Sequence, residues 1–274
     1  MKKIIIILFG VISILNAQEN KQQYEYAVSL FNNEKYFDAI TEFKRLLFFD
    51  SSGTYNFQAY IYMGNSYKEG GHYQDAINYF VEAEKSATNQ KELFNAKVNV
   101  IRSNLLRGSY LNAKRLILKL DNDPRYDSLK DEINYWYGWN YMMEDKWDSA
   151  AFYFNKMKNK TELEDLARKT QDEKYNKYIP KIMSIFIPGS GQIYTGNYLS
   201  GLMSLGWNAL FGYLTVNSII ENRVFDGVMI ANFLWLRFYT GNIENSNDFV
   251  EEKNREITNH TYLYLQDTYN GIKP

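Results

Sequence analysis

Few residues in this chain have the types and spacing that chemistry requires. Gly189-Ser190-Gly191 sets a serine between glycines, but a nucleophile elbow needs Gly-x-Ser-x-Gly after a strand and a partnered histidine. As a phosphate loop it lacks the following Gly-Lys-Ser/Thr. Asp121, Asp123, Asp127 and Glu132 imitate part of a calcium loop. Arg125 then falls at a ligand position, and Tyr126 falls where that loop needs glycine. The carboxylate pairs Glu82/Glu84 and Glu251/Glu252 read as solvated helix faces. His72 sits in a turn without a second ligand nearby, and His260 is the one other histidine. Cysteine is absent, which removes disulfides, thiolate metal sites, iron–sulfur clusters and cysteine nucleophiles together. The expectation is a protein that is not an enzyme, with no catalytic residue, no metal, no cofactor and no evident small-molecule substrate.

Composition narrows the class further. Of 274 residues, 45% are hydrophobic and 23% charged, which suits a packed core and argues against wholesale disorder. A formal net charge of −1 gives no global field for nucleic acid, so none is expected as a partner. Met1-Lys2-Lys3, the apolar stretch Ile4–Leu15 and the small Ala17 before polar Gln18-Glu19 form the pattern of a secretory signal over residues 1–17. The apolar stretch is short for a bilayer span, which needs about 20 residues. Export to the cell envelope follows as an expectation.

The elements that would position any site are repeated. Ala39, Ala76, Ala113 and Ala150 are spaced 37 residues apart, as are Tyr36, Tyr73, Tyr110 and Trp147. So are Phe43, Phe80, Ile117 and Phe154, then Ala27, Gly64, Ile101 and Gly138, then Leu30, Tyr67, Asn104 and Tyr141. Tyr60, Met63, Gly64 and Tyr67 share one helix face, glycines 70 and 71 make a turn, and Tyr73, Ala76, Ile77 and Phe80 form the next stripe. Each copy therefore reads as two antiparallel helices. The small residues allow close approach of the backbones, and the large ones fill the space between pairs.

These residues resemble the tetratricopeptide repeat, a helix–turn–helix of 34 residues. Tyr60, Met63-Gly64, Tyr67, Tyr73, Ala76, Phe80 and Ala83 carry the likeness in copy two; Tyr137-Gly138, Tyr141, Trp147, Ala150 and Phe154 carry it in copy four. The third copy departs at Ile101 and Asn104. The resemblance implies an all-α fold: an α-solenoid of four helix pairs over residues 18–158, whose first helices line a groove for a protein or peptide segment. The groove residues would be Tyr24, Val28 and Phe31; Ile61, Asn65 and Lys68; Val98, Arg102 and Leu105; Tyr135, Trp139 and Met142. Asn65 and Arg102 suit a clamp on a carboxylate, although Tyr24 and Val28 stand where lysine and asparagine would complete it. Three readings of the groove stay open: a partner enters it, its aromatics simply pack the superhelix, or they cover the chain's own C-terminal part.

The remainder differs in character. Residues 159–180 form a charged stretch that reads as a connecting helix. Residues 181–244 read as a membrane module. Leu199–Ile220 carries no charge and would reach about 33 Å as a helix. Val224–Tyr239 is again apolar apart from Asp226, Asn232 and Arg237, so a two-helix transmembrane hairpin in a lipid bilayer is expected, with a soluble helical pair as the alternative. Pro188, Gly189, Gly191, Gln192, Tyr194 and Gly196, with Asn208 and Phe238–Ile243 later, resemble a bacterial Pro-Gly-x-Gly-Gln-x-Tyr membrane module of unknown function, found beside exported helical repeats in the Bacteroidota. Residues 245–274 read as a polar helical tail. The expectation is an exported, membrane-tethered adaptor that assembles proteins at a bacterial envelope membrane, with the solenoid on the non-cytoplasmic, periplasmic side. The rival is a subunit of a transport or membrane-insertion apparatus, which interhelical polar contacts from Asn208, Asn217 and Asn232 would favour.

Overall fold

The computed structural model describes residues 18–159 and 161–274, so the signal-peptide reading of residues 1–17 lies outside the described residues. Among the described residues every regular element is helical and no strand occurs. The chain divides into two units. One runs through Glu164 and includes Ile272–Pro274; the other is Asp165–Gly271.

In the first unit, α1 (residues 18–32) is followed by α2 (Tyr36–Phe49), α3 (Asn56–Glu69), α4 (Tyr73–Ser86), α5 (Gln90–Leu106) and α6 (Tyr110–Asp121). A 3-10 turn, Pro124–Leu129, leads to α7 (Lys130–Met143) and α8 (Trp147–Asn155). Helices α2, α4, α6 and α8 each begin on the aromatic residue of the 37-residue repeat. Consecutive helices from α2 to α8 pack on one another, and α5 also touches both α3 and α7. The alanine column is wholly buried at all four positions, and so are Phe43, Phe80, Ile117 and Phe154. Gly64 shows why the first helix needs a small residue. A Cβ there would lie 2.5–2.9 Å from the Phe80 ring, and one at Gly138 would overlap Phe154. Glycine thus lets the phenylalanine of the same copy lie flat against the neighbouring helix.

The turns inside the pairs repeat as well. Glu34, Gly71, Gly108 and Asp145, again 37 residues apart, all have positive φ, between 61° and 76°. In each turn the amide of the next residue donates to a carbonyl five residues back: Lys35 to Leu30, His72 to Tyr67, Ser109 to Asn104 and Lys146 to Tyr141, at 2.8–2.9 Å. These are left-handed helix ends that cap the orphan carbonyls of the preceding helix.

The second unit takes in most of α9 (Glu162–Glu173), then α10 (Tyr178–Phe186), α11 (Ser190–Tyr194) and α12 (Tyr198–Ile220). The chain turns at Asn222 and returns through α13 (Val224–Ile230), a π-turn (Ala231–Trp235) and α14 (Leu236–Asp267). Helix α12 packs along all three returning pieces, and Trp207, Phe211 and Phe238 stack at 5.1–5.7 Å between them. Thr170 of α9 shares a hydrogen bond with Thr261 of α14 at 2.9 Å. Asn254 accepts from Tyr175 N and donates to Tyr175 O.

The expected transmembrane hairpin needs correction. The two apolar segments do form a helical hairpin, but no helix among the described residues is long and apolar enough to cross a membrane. Asn208, Asn217 and interspersed serines and glycines dilute α12. The returning arm is interrupted by its π-turn and then runs into the charged turns of α14.

Candidate functional site

The first unit holds a cavity of about 570 Å³ lined from α5 by Phe94, Asn95, Val98, Asn99 and Arg102, from the 3-10 turn by Leu129, and from α7 by Glu132 and Trp136. Helix α5 can build one wall because residues 94/95, 98/99 and 102 recur one turn apart on a single face. It is also 17 residues long, where α3 and α7 have 14. Arg102 is held by its neighbours on α5 and α7. Its Nη1 donates to Asn99 Oδ1 at 3.0 Å, Asn99 donates to the Asn95 side chain at 2.6 Å, and the guanidinium lies 5.7 Å from the centre of the Trp136 ring. Burial lowers the Arg102 pKa, with Glu69 and Tyr135 opposing the shift. Burial, followed by the charge of Arg102, lowers that of Lys68.

A peptide segment sits at this cavity. Arg102 donates from Nε (3.1 Å) and Nη2 (2.7 Å) to the main-chain oxygen of Lys273, and the Tyr135 hydroxyl donates to the main-chain oxygen of Ile272. The Ile272 side chain lines the cavity yet stays 61% exposed. The arrangement reads peptide carbonyls with a fixed cation and a phenol.

Among the residues expected to line a groove, Val98, Arg102 and Tyr135 meet at this site. The others lie elsewhere. Tyr24, Val28 and Phe31 pack against the core of the first copy, where Tyr24 stacks on Tyr55 at 4.8 Å. Ile61 packs beside Ala76 and Phe80, Asn65 is half-buried, and Lys68 is buried with its ammonium 3.3 Å from Glu69. Leu105 and Met142 are wholly buried and Trp139 nearly so, which makes them packing residues of the stack rather than a displayed surface. Sequence reasoning missed Phe94, Asn99 and Trp136. The first two stand on the face of Val98 and Arg102 and were legible from that spacing. Trp136 was obscured because α7 is aromatic all round.

The Pro-Gly-x-Gly-Gln-x-Tyr stretch forms a buried polar knot in the second unit. Asn242 Oδ1 accepts from Gly189 N (2.7 Å), Gln192 Nε2 (3.0 Å) and Ser204 Oγ (3.0 Å), while its Nδ2 donates to Ser184 O (2.9 Å). Gly189 has φ +90°, and a Cβ on it would overlap the carbonyl of Gly201. A Cβ on Gly191 would overlap Pro180 O, Ser184 Oγ and Ser246 Oγ. Pro188 precedes this turn. Gly196, at φ +84°, makes the next one, and Tyr194 packs edge-on against Tyr175. The motif therefore wedges a five-residue helix between α10, α12 and α14. The acidic run before α7 is tied up by cations: Asp121 and Asp127 pair with Lys130, and Asp123 pairs with Arg125.

Compared with family models, curated proteins and solved structures, the chain matches none.

Proposed function

We propose that this chain is an exported adaptor at a bacterial envelope membrane, with a tetratricopeptide-like solenoid that binds an extended protein segment. The observation that carries the reading is the clamp of Arg102 and Tyr135 on two consecutive main-chain carbonyls. A site that grips backbone rather than a reacting group is a binding site, and its polar atoms are already oriented.

The lipid partner rests on a second feature. Leu199, Leu202, Leu210, Val216 and Ile220 of α12 are exposed, as are Phe225, Val228 and Phe233 on the returning arm. Exposed apolar area this extensive marks a contact surface, and α12, uncharged along its length, suits the apolar part of a bilayer without requiring a span. The solenoid would stand on the non-cytoplasmic side, as the signal-like N-terminus implies. The rival reading, a subunit of a transport or insertion apparatus, called for bonds between helices from three asparagines. Asn208 donates to Ser204 O, Asn232 to Val228 O and Asn217 to Glu221, each within or at the end of its own helix, so the adaptor reading is preferred.

Two experiments test the reading. A photo-crosslinking amino acid at Lys91, exposed at the cavity, should capture a specific protein in native membranes, and Arg102→Gln should abolish the capture. Full-length protein should float with phosphatidylethanolamine–phosphatidylglycerol vesicles, and Leu202→Glu with Leu210→Glu should prevent it. Capture unaffected by Arg102→Gln overturns the binding role, and flotation unaffected by the two glutamates overturns the lipid role.

A further inference from the structure

The segment Ile272-Lys273-Pro274 fills its site incompletely. Arg102 and Tyr135 contact it through carbonyl oxygens, which every residue offers. Below it the cavity of about 570 Å³ has an apolar wall of Phe94, Val98, Leu129 and Trp136, with the charged Lys91, Arg125 and Glu132 also lining it, while Ile272, the one aliphatic side chain of the segment, remains 61% exposed. A better ligand would keep the two carbonyl contacts and add a large side chain to that wall. Burying a Leu or Phe side chain is worth roughly tenfold to a hundredfold in affinity.

We infer that the Arg102 cavity is a main-chain-reading peptide site whose resident occupant is the chain's own Ile272-Lys273-Pro274, and that its partner is an extended segment carrying a large apolar side chain, which displaces this occupant. The inference rests on the adaptor reading and deepens it. Because the resident segment is tethered, its effective concentration is on the order of millimolar, so a weak partner is excluded and only one that fills the cavity competes. The device thus sets a threshold for binding and shields the apolar wall until a partner arrives.

The test uses a fluorescent peptide, Tyr-Asn-Gly-Ile-Lys-Pro, and fluorescence anisotropy against two proteins: the intact chain and the chain ended after Gly271. Binding to the ended chain should be at least tenfold tighter than to the intact chain. Arg102→Gln in the ended chain should weaken it tenfold or more, and a peptide with Phe in place of Ile should bind several-fold tighter than the original. Equal binding to both chains, binding indifferent to Arg102→Gln, or no binding to a folded ended chain overturns the inference. So does a dimer of the intact chain that is lost on ending at Gly271, since the segment would then fill a second copy.

Should the ended chain fail to fold, the intact chain supplies the answer. Ser128→Cys at the exposed rim of the cavity with Lys273→Cys, in a chain with no other cysteine, can be locked by a short bis-maleimide. The locked protein should lose Lys91 photo-capture that the unlocked one retains, and equal capture overturns the inference. The adaptor reading fails separately, when the peptide results hold but no protein is captured in membranes.

Discussion

Gly64→Ala adds one methyl group where α3 meets α4. The new Cβ would stand 2.5, 2.6 and 2.9 Å from Cε1, Cδ1 and Cζ of Phe80, whereas ordinary contact begins at 3.4 Å. Phe80 is wholly buried, so its ring has nowhere to swing. Overpacking of this kind costs about 1–3 kcal/mol. Against it, replacing glycine by alanine inside a helix gains about 1 kcal/mol. The net expectation is a loss of up to about 2 kcal/mol. Phe80→Leu removes the obstructing ring edge at its own cost in packing. The double variant should then be more stable than the sum of the two losses predicts, by about 1–3 kcal/mol, because the methyl group enters the vacated space. Urea unfolding followed by far-UV circular dichroism in mild detergent measures all four proteins, compared at unchanged slope. Gly206→Ala in α12 is the control, since nothing lies within 4 Å of its Cβ position, and it should be neutral or stabilise by up to about 1 kcal/mol. A Gly64→Ala protein as stable as the parent, or strictly additive losses, would refute the argument that glycine is there to admit the Phe80 ring.

Asn242→Ala strips the acceptor from Gly189 N and Ser204 Oγ, one of two acceptors from Gln192 Nε2, and the donor from Ser184 O; with each unmet buried group costing about 1–3 kcal/mol, the second unit should open to trypsin at Lys181 and Arg237, and resistance equal to the parent's would contradict the knot. Trp139→Ala should cost about 3–5 kcal/mol in thermal or urea unfolding, because the indole is buried; a normally stable variant that merely loses peptide affinity would return Trp139 to the binding surface. Tyr24 is pushed up to about 12, first by burial and then by Tyr62 beside it, so its contribution is fully present below the ordinary value of 10.0 and is lost as pH rises to about 12. Tyr24→Phe should therefore move the midpoint of alkaline unfolding to higher pH, and an unmoved midpoint would dismiss Tyr24 as a source of that instability.

The sequence by itself determined the helix pairs. Alanine, glycine and aromatic residues at a 37-residue period state which positions must be small and which must fill space, and these are local requirements of one helix against its neighbour in the chain. Helices α2, α4, α6 and α8 accordingly start where the aromatic column said they would. The turns were partly legible: glycines 70 and 71 marked one of them, but Gly108, Glu34 and Asp145 adopt the left-handed conformation of Gly71 because closure of the pair imposes it on whatever residue is there. Uncharged segments announced the hairpin around Asn222. α12 runs unbroken over 23 residues and falls short in apolar character rather than in length, while the returning arm is broken by the π-turn at Ala231–Trp235. The polar knot joins Gly189 and Gln192 to Asn242 across about fifty residues of chain, so its motif was visible while its purpose was not. The clamp lies furthest from sequence reasoning. Arg102 and Lys273 are 171 residues apart, and Ile272 and Lys273 contribute carbonyl oxygens that no side chain advertises. Periodicity reports which face of a helix is apolar, because that is written in side chains every three or four residues. A main-chain contact between distant segments leaves no such mark, and only the folded chain brings its partners together.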